Sequence, residues 1–189
     1  MSYNEGNAAL NWDDLDLPAE TVDEAAATAA ESMGKTPVGK FLCTCIDSKP
    51  VEKKFKAYSG YAANLKWQIE TVLQINGKAA TDAEKDAYEG RFIFDDVVLA
   101  NDAEKDGMRN RRVMIACKTG LVVNPSLATS LTAKSWGKDI IGKQAILTTE
   151  RQEWVDAVTD EKKHTVKIAF DGYESATGFT KVADPFDDI

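Results

Sequence analysis

Apolar and polar residues alternate with period two along several stretches of this chain. Phe41, Cys43 and Cys45 alternate with Leu42, Thr44 and Ile46, and Leu65, Trp67 and Ile69 alternate with Lys66, Gln68 and Glu70. Successive side chains on a strand point to opposite faces, so each run predicts a strand. The first, opened by Pro37-Val38-Gly39, is apolar on one or both faces, while the second covers 64–75 and has one apolar face, with Val72, Leu73 and Ile75 at its end. A third run, Tyr88 to Leu99, is rich in aromatic and β-branched residues, the composition of a pleated, half-buried surface. Stretches 142–149 and 165–170 read as a terminal pair of strands.

Between the third and fourth strands the period changes. Asn101 or Asp102 can cap a helix running to about Cys117, with Glu104 and Asp106 early and Arg109, Arg111, Arg112 and Lys118 late, which suits the helix dipole. Leu127 and Leu131 allow a short second helix within 124–137. Three polar stretches, 53–61, 76–86 and 150–163, show neither period and read as connections. The expected fold is therefore mainly β with one or two helices. Five strands with a helix between strands three and four is the element order of an OB-fold-like five-stranded barrel.

Charge divides the chain into three regions. Residues 1–34 hold eight acids and no Lys or Arg, and 182–189 hold Asp184, Asp187 and Asp188, so the acidic total of 31 leaves 20 acids against 23 bases over 35–181. The overall charge of −8 thus hides a body of +3 between acidic ends. A body of this size buries about two thirds of its unfolded surface as one domain. Residues 1–34 offer little to bury beyond the Ala25 to Ala30 stretch and read as an acidic, partly disordered arm. Residues 182–189 read as a tail, in which Phe186 among the aspartates is an unusual choice for a purely solubilising segment. A cationic body with acidic ends suits a polyanionic partner, for which the tail either competes or recruits basic proteins.

The three cysteines, of which Cys43 and Cys45 are separated by one residue, suit a reducing cytoplasm. No apolar run approaches the length that spans a bilayer, so no membrane association is expected. Cys43, Cys45, Cys117 and His164 lack the paired spacing of a structural zinc site, and no metal or other cofactor is expected. Ser59-Gly60 lacks the flanks of a nucleophile elbow, and adjacent Asp95 and Asp96 fall on opposite faces of a strand. The chain does not read as an enzyme.

The chain resembles a family of small phage proteins, encoded in replication and recombination cassettes, that act as single-stranded-DNA-binding proteins. The resemblance rests on Pro37-Val38-Gly39-Lys40-Phe41, on Leu65-Lys66-Trp67-Gln68-Ile69-Glu70, on Tyr88-Glu89-Gly90-Arg91-Phe92-Ile93-Phe94-Asp95, and on Asp139-Ile140-Ile141-Gly142-Lys143, and it covers about 37–170. It implies a bacteriophage protein that binds single-stranded DNA without sequence preference during DNA replication or recombination, in the cytoplasm of an infected bacterium. The acidic carboxyl tail, Asp184, Phe186, Asp187 and Asp188, is similar to tails that contact replication or recombination proteins, although here Ile189 follows the last acids.

Such a binder needs cations for phosphates and flat side chains on which bases stack. The stretch between the first two strands supplies Lys53, Lys54, Phe55, Lys56, Tyr58 and Tyr61, and the stretch between the last two supplies Arg151, Trp154, Lys162 and Lys163. These are the two loops with which OB folds hold oligonucleotides. Lys66 and Gln68 face away from the apolar side of their strand, and Arg91 is expected beside them, whereas Trp67 is expected in the core. Arg109, Arg111 and Arg112 read as a solvated helix end. One small barrel contacts few nucleotides, which favours a homo-oligomer. The rival reading is a non-enzymatic phage protein-interaction module that inhibits or adapts a host protein, its acids mimicking nucleic acid.

Overall fold

The computed structural model describes residues 36–54, 59–100, 106–124, 126, 129–156 and 160–177. The arm 1–34 and the tail with Asp184, Phe186, Asp187 and Asp188 lie outside the described residues, as do Phe55, Lys56 and Tyr58. In chain order the elements are β1 (Gly39–Lys54), β2 (Ser59–Ile75), β3 (Lys78–Ala79), α1 (Asp82–Tyr88), β4 (Phe92–Val98), α2 (Asp106–Lys118), a π-helical turn (Ser135–Asp139), β5 (Gln144–Val155) and β6 (Lys162–Ser175). The sheet runs β3-β2-β1-β5-β6, with β4 also paired to β2, and every pairing is antiparallel. Its five long strands, with α2 between the third and fourth of them, form a barrel-like, OB-fold-like, mostly β architecture. The sheet does not close, because no ladder joins β4 to β6.

Bulges decide which residues reach the core. The β1–β2 register slips between Lys40 and Phe41, between Leu42 and Cys43, and between Cys45 and Asp47, which leaves Leu73 and Glu70 unpaired on β2 and Ile46 unpaired on β1. Each extra residue reverses the parity of the strand that carries it. The inward positions of β2 therefore run Ala63, Leu65, Trp67, Ile69, Val72 and Ile75, and all are buried. Phe41, Cys43, Ile93, Val97, Leu147 and Tyr173 meet them from the other strands, and Ile115 of α2, Trp136 and Ile140 complete the cluster.

Both connections expected as loops are mostly strand. The β1–β2 ladder continues to Lys54 opposite Ser59, and the β5–β6 ladder to Val155 opposite Lys162. Residues 150–155 are exposed throughout, as are 162–165. A two-stranded ribbon wet on both faces carries no alternation, so its sequence gives no period-two signal. The polar excursion after β2 also has structure. Asn76 and Gly77 both take positive φ, 49° and 78°, as a tight hairpin turn into β3 requires. Thr81 and Glu84 then form a capping box at the start of α1. Tyr88, expected at the head of the third strand, ends α1 instead.

The β5–β6 ladder holds a larger irregularity. Leu147 pairs with Tyr173 while Thr149 pairs with Ile168, so 169–172 bulge out of β6. Only glycine fits at position 172, where a Cβ would stand 2.5 Å from the Thr148 carbonyl oxygen. The bulge faces the open seam.

Burial pushes the Cys45 thiol up to about 12 and drives Cys43 further in the same direction, with the Glu70 carboxylate adding to the shift. Both stay protonated in the fold, whereas thiols of an unfolded chain ionise near pH 8.5. Their contribution to stability is fully present below that value and declines as pH rises above it. Under reducing conditions the urea midpoint is expected to fall between pH 8 and pH 10. Replacing Cys43 and Cys45 by alanine should flatten that decline, and an equally steep decline would contradict the assignment.

Candidate nucleic-acid interface

The outward face of β2 and β4 follows directly from their register. Asn64 lies opposite Asp96, Lys66 opposite Phe94, and Gln68 opposite Phe92. Phe92 is 41% exposed and Phe94 55%, unusual for phenylalanine side by side on a solvent-facing strand. The Lys66 ammonium sits 3.8 Å from the centroid of the Phe92 ring, within cation–π range. Sequence reasoning found Lys66 and Gln68 on this face but missed both phenylalanines. The signal was present, since Ile93 and Val97 are the inward residues of the strand and Phe92 and Phe94 have the opposite parity.

Asp96 anchors one end of this face. Its Oδ1 accepts from the Asn64 amide at 2.8 Å and its Oδ2 from the Lys53 ammonium at 2.6 Å. Partial burial raises the carboxyl's pKa, but the hydrogen bonds from Asn64 and Lys53, with the lysine's charge, outweigh it and hold the group below the usual carboxylate range. Lys53 thus stands at the interface as one half of an ion pair.

The ribbon of β5 and β6 divides its candidates. Trp154 lies opposite Lys163 on the ladder, on the same face as Glu150 and Lys167, and is 45% exposed. Arg151 and Lys162 occupy the other face, where the Arg151 guanidinium pairs with Glu153 at 3.0 Å. Lys163 also forms an ion pair with Asp156. These four residues lie on strands, so the expectation of a loop is corrected for them, as it is for Lys53, Lys54 and Tyr61. Lys53 and Lys54 fall on opposite faces of β1. Tyr61 shares the inward parity of Ala63 and Leu65, and it lines a groove of about 590 Å³ with Val113, Leu131 and Trp136, away from Lys66. Arg91 lies over the Tyr88 ring, 5.2 Å from its centroid, just before β4.

Two arginines expected at a solvated helix end are structural instead. Asp95 points inward between Ile93 and Val97, where its Oδ2 accepts from the Arg111 guanidinium at 2.8 Å and from the Tyr173 hydroxyl at 2.6 Å. Arg111 also donates to the Phe170 carbonyl of β6 through Nε, and Arg112 to the Val98 carbonyl of β4 through Nη1. Burial and the Asp95 charge raise the Tyr173 phenol well above its ordinary value, so it remains a neutral donor. These side chains join β4 to β6 where the backbone ladder is missing. Only a contact map reveals this role, because a run of arginines near a helix terminus looks the same in sequence whether it is solvated or buried.

No helix among the described residues is long and apolar enough to cross a membrane, and no cluster of His, Cys, Asp or Glu among them could hold a metal ion. No protein-family model and no curated protein matches the chain.

Proposed function

We propose that this protein binds single-stranded DNA with little sequence preference, in phage DNA replication or recombination inside the infected bacterial cytoplasm. The observation that carries the reading is the pair Phe92 and Phe94, exposed on the outward side of β4 beside the Lys66 ammonium. Exposed rings stack bases of any sequence, and a nearby cation serves the phosphates between them. Trp154 and Lys163 on the same-parity side of the ribbon repeat the combination. The reading involves no reaction, and no cofactor.

The acidic tail, through Asp184, Phe186, Asp187 and Asp188, competes with DNA for this surface and contacts replication or recombination proteins when DNA displaces it. Titration of a fluorescent 30-nucleotide strand at several salt concentrations tests both parts. Lys66→Ala is expected to weaken binding and to lower the salt slope by about one ion. Deleting 182–189 is expected to strengthen binding at low salt. An unchanged slope and an unchanged affinity would count against the two claims respectively.

One observation favours the rival interaction module. The groove beside Tyr61 is largely apolar, and its lining among the described residues includes Arg109 and no acid, a surface suited to an acidic peptide bearing an apolar anchor. Protein capture that survives loss of the Phe92–Phe94 face would support that second reading.

A further inference from the structure

The seam between β4 and β6 is the least ordinary part of the fold. Four antiparallel steps separate the two strands through β2, β1 and β5, so they run parallel, yet no backbone ladder joins them. The 169–172 bulge turns β6 aside there, and Arg111, Asp95 and Tyr173 hold the joint with side chains. What remains between the strands is a cleft of about 360 Å³ whose lining includes Phe94, Phe170, Glu150 and Lys167. That is within the range of small-ligand sites.

The chemistry of this lining is specific. Phe94 and Phe170 are both more than half exposed, one from each side of the seam. Asp96 also lines the cleft, but its two oxygens are committed to Asn64 and Lys53. The Glu150 side chain makes no hydrogen bond or ion pair among the described residues, and neither does that of Lys167, which lies opposite it on the ladder. The site therefore presents two aromatic surfaces, one uncommitted carboxylate and one uncommitted ammonium. A carboxylate accepts from the exocyclic amine of cytosine, whereas thymine has carbonyl O4 at that position and offers only an N3–H flanked by two carbonyl oxygens that repel a carboxylate.

Building on the single-stranded-DNA reading, we propose that the seam cleft takes one unstacked base of the strand. Phe94 and Phe170 contact its ring, Glu150 accepts from its exocyclic amine, and Lys167 meets a neighbouring phosphate. The binder is thus tolerant of sequence along most of its path and discriminating at one position, where an amino-bearing base such as cytosine is preferred to thymine.

Competitive titration of oligodeoxycytidine and oligothymidine of equal length tests this. Glu150→Ala should lower the ratio of cytidine to thymidine affinity about fivefold or more, whatever the loss of a negative charge does to both affinities. Phe170→Leu should weaken both about fivefold or more, whereas Phe170→Trp should retain them. Thermal unfolding of each variant confirms that the fold is intact. If the ratio ignores Glu150→Ala and both Phe170 variants bind as the parent does, the cleft is only a joint, and the wider DNA reading stands by itself. If the parent protein binds neither strand at any salt concentration, both proposals fall together.

Discussion

Replacing Arg111 by methionine is expected to cost the fold about 3–5 kcal/mol, the penalty for leaving a buried carboxylate without its cationic partner. The Arg111 and Asp95 side chains are only 10% and 12% exposed, so solvent cannot substitute for the lost guanidinium. Asp95 would keep one donor, the Tyr173 hydroxyl, while the Phe170 carbonyl would lose its bond from Nε. Because β4 and β6 share no backbone ladder, the loss falls on the joint that holds the barrel's two ends together. Adding Asp95→Asn to Arg111→Met should restore part of the stability, since the neutral amide needs no counter-charge. Urea unfolding of the two single variants and the double variant measures this coupling directly. A cost below about 1 kcal/mol for Arg111→Met would mean that the seam is held by packing alone.

The second large effect concerns binding and spares stability. Phe92→Ala together with Phe94→Ala should weaken single-stranded DNA by at least about 2 kcal/mol, roughly 30-fold, given about 1–3 kcal/mol per stacked base. Both rings are substantially exposed and stand on the side of β4 opposite Ile93 and Val97, so unfolding stability should change by no more than about 1 kcal/mol. That separation is diagnostic. A variant that loses both stability and affinity would show that the rings serve the fold, and one that loses neither would move the interface elsewhere.

Residue pattern alone reveals the strands that bury one face and hides those that do not. Leu65, Trp67 and Ile69 declare β2 because their neighbours Lys66, Gln68 and Glu70 are polar, and all three apolar residues are buried. The distal ribbon of β5 and β6 is wet on both sides, and the end of β1 is polar, so Lys53, Tyr61, Arg151 and Lys162 look like loop residues until the ladders are seen. Val72 sits out of phase with the start of β2 because Glu70 is a bulge residue, and Ile75 is back in phase because Leu73 is a second one. At the candidate interface, Lys66 and Gln68 are legible from parity. The same parity argument exposes Phe92 and Phe94 once Asp95 is recognised as an inward acid, and that recognition needs its partners Arg111 and Tyr173, 16 and 78 residues away in sequence. A long-range ion pair in a barrel leaves no local pattern.

The most direct test of the account is a competition between a labelled single strand of about 30 nucleotides and the matching duplex, performed with the full chain at low and moderate salt. The account predicts that the single strand is preferred, that binding weakens as salt rises, and that the preference disappears in the Phe92→Ala, Phe94→Ala double variant. Equal affinity for the duplex, or binding to the single strand that is indifferent to both substitutions, would contradict it.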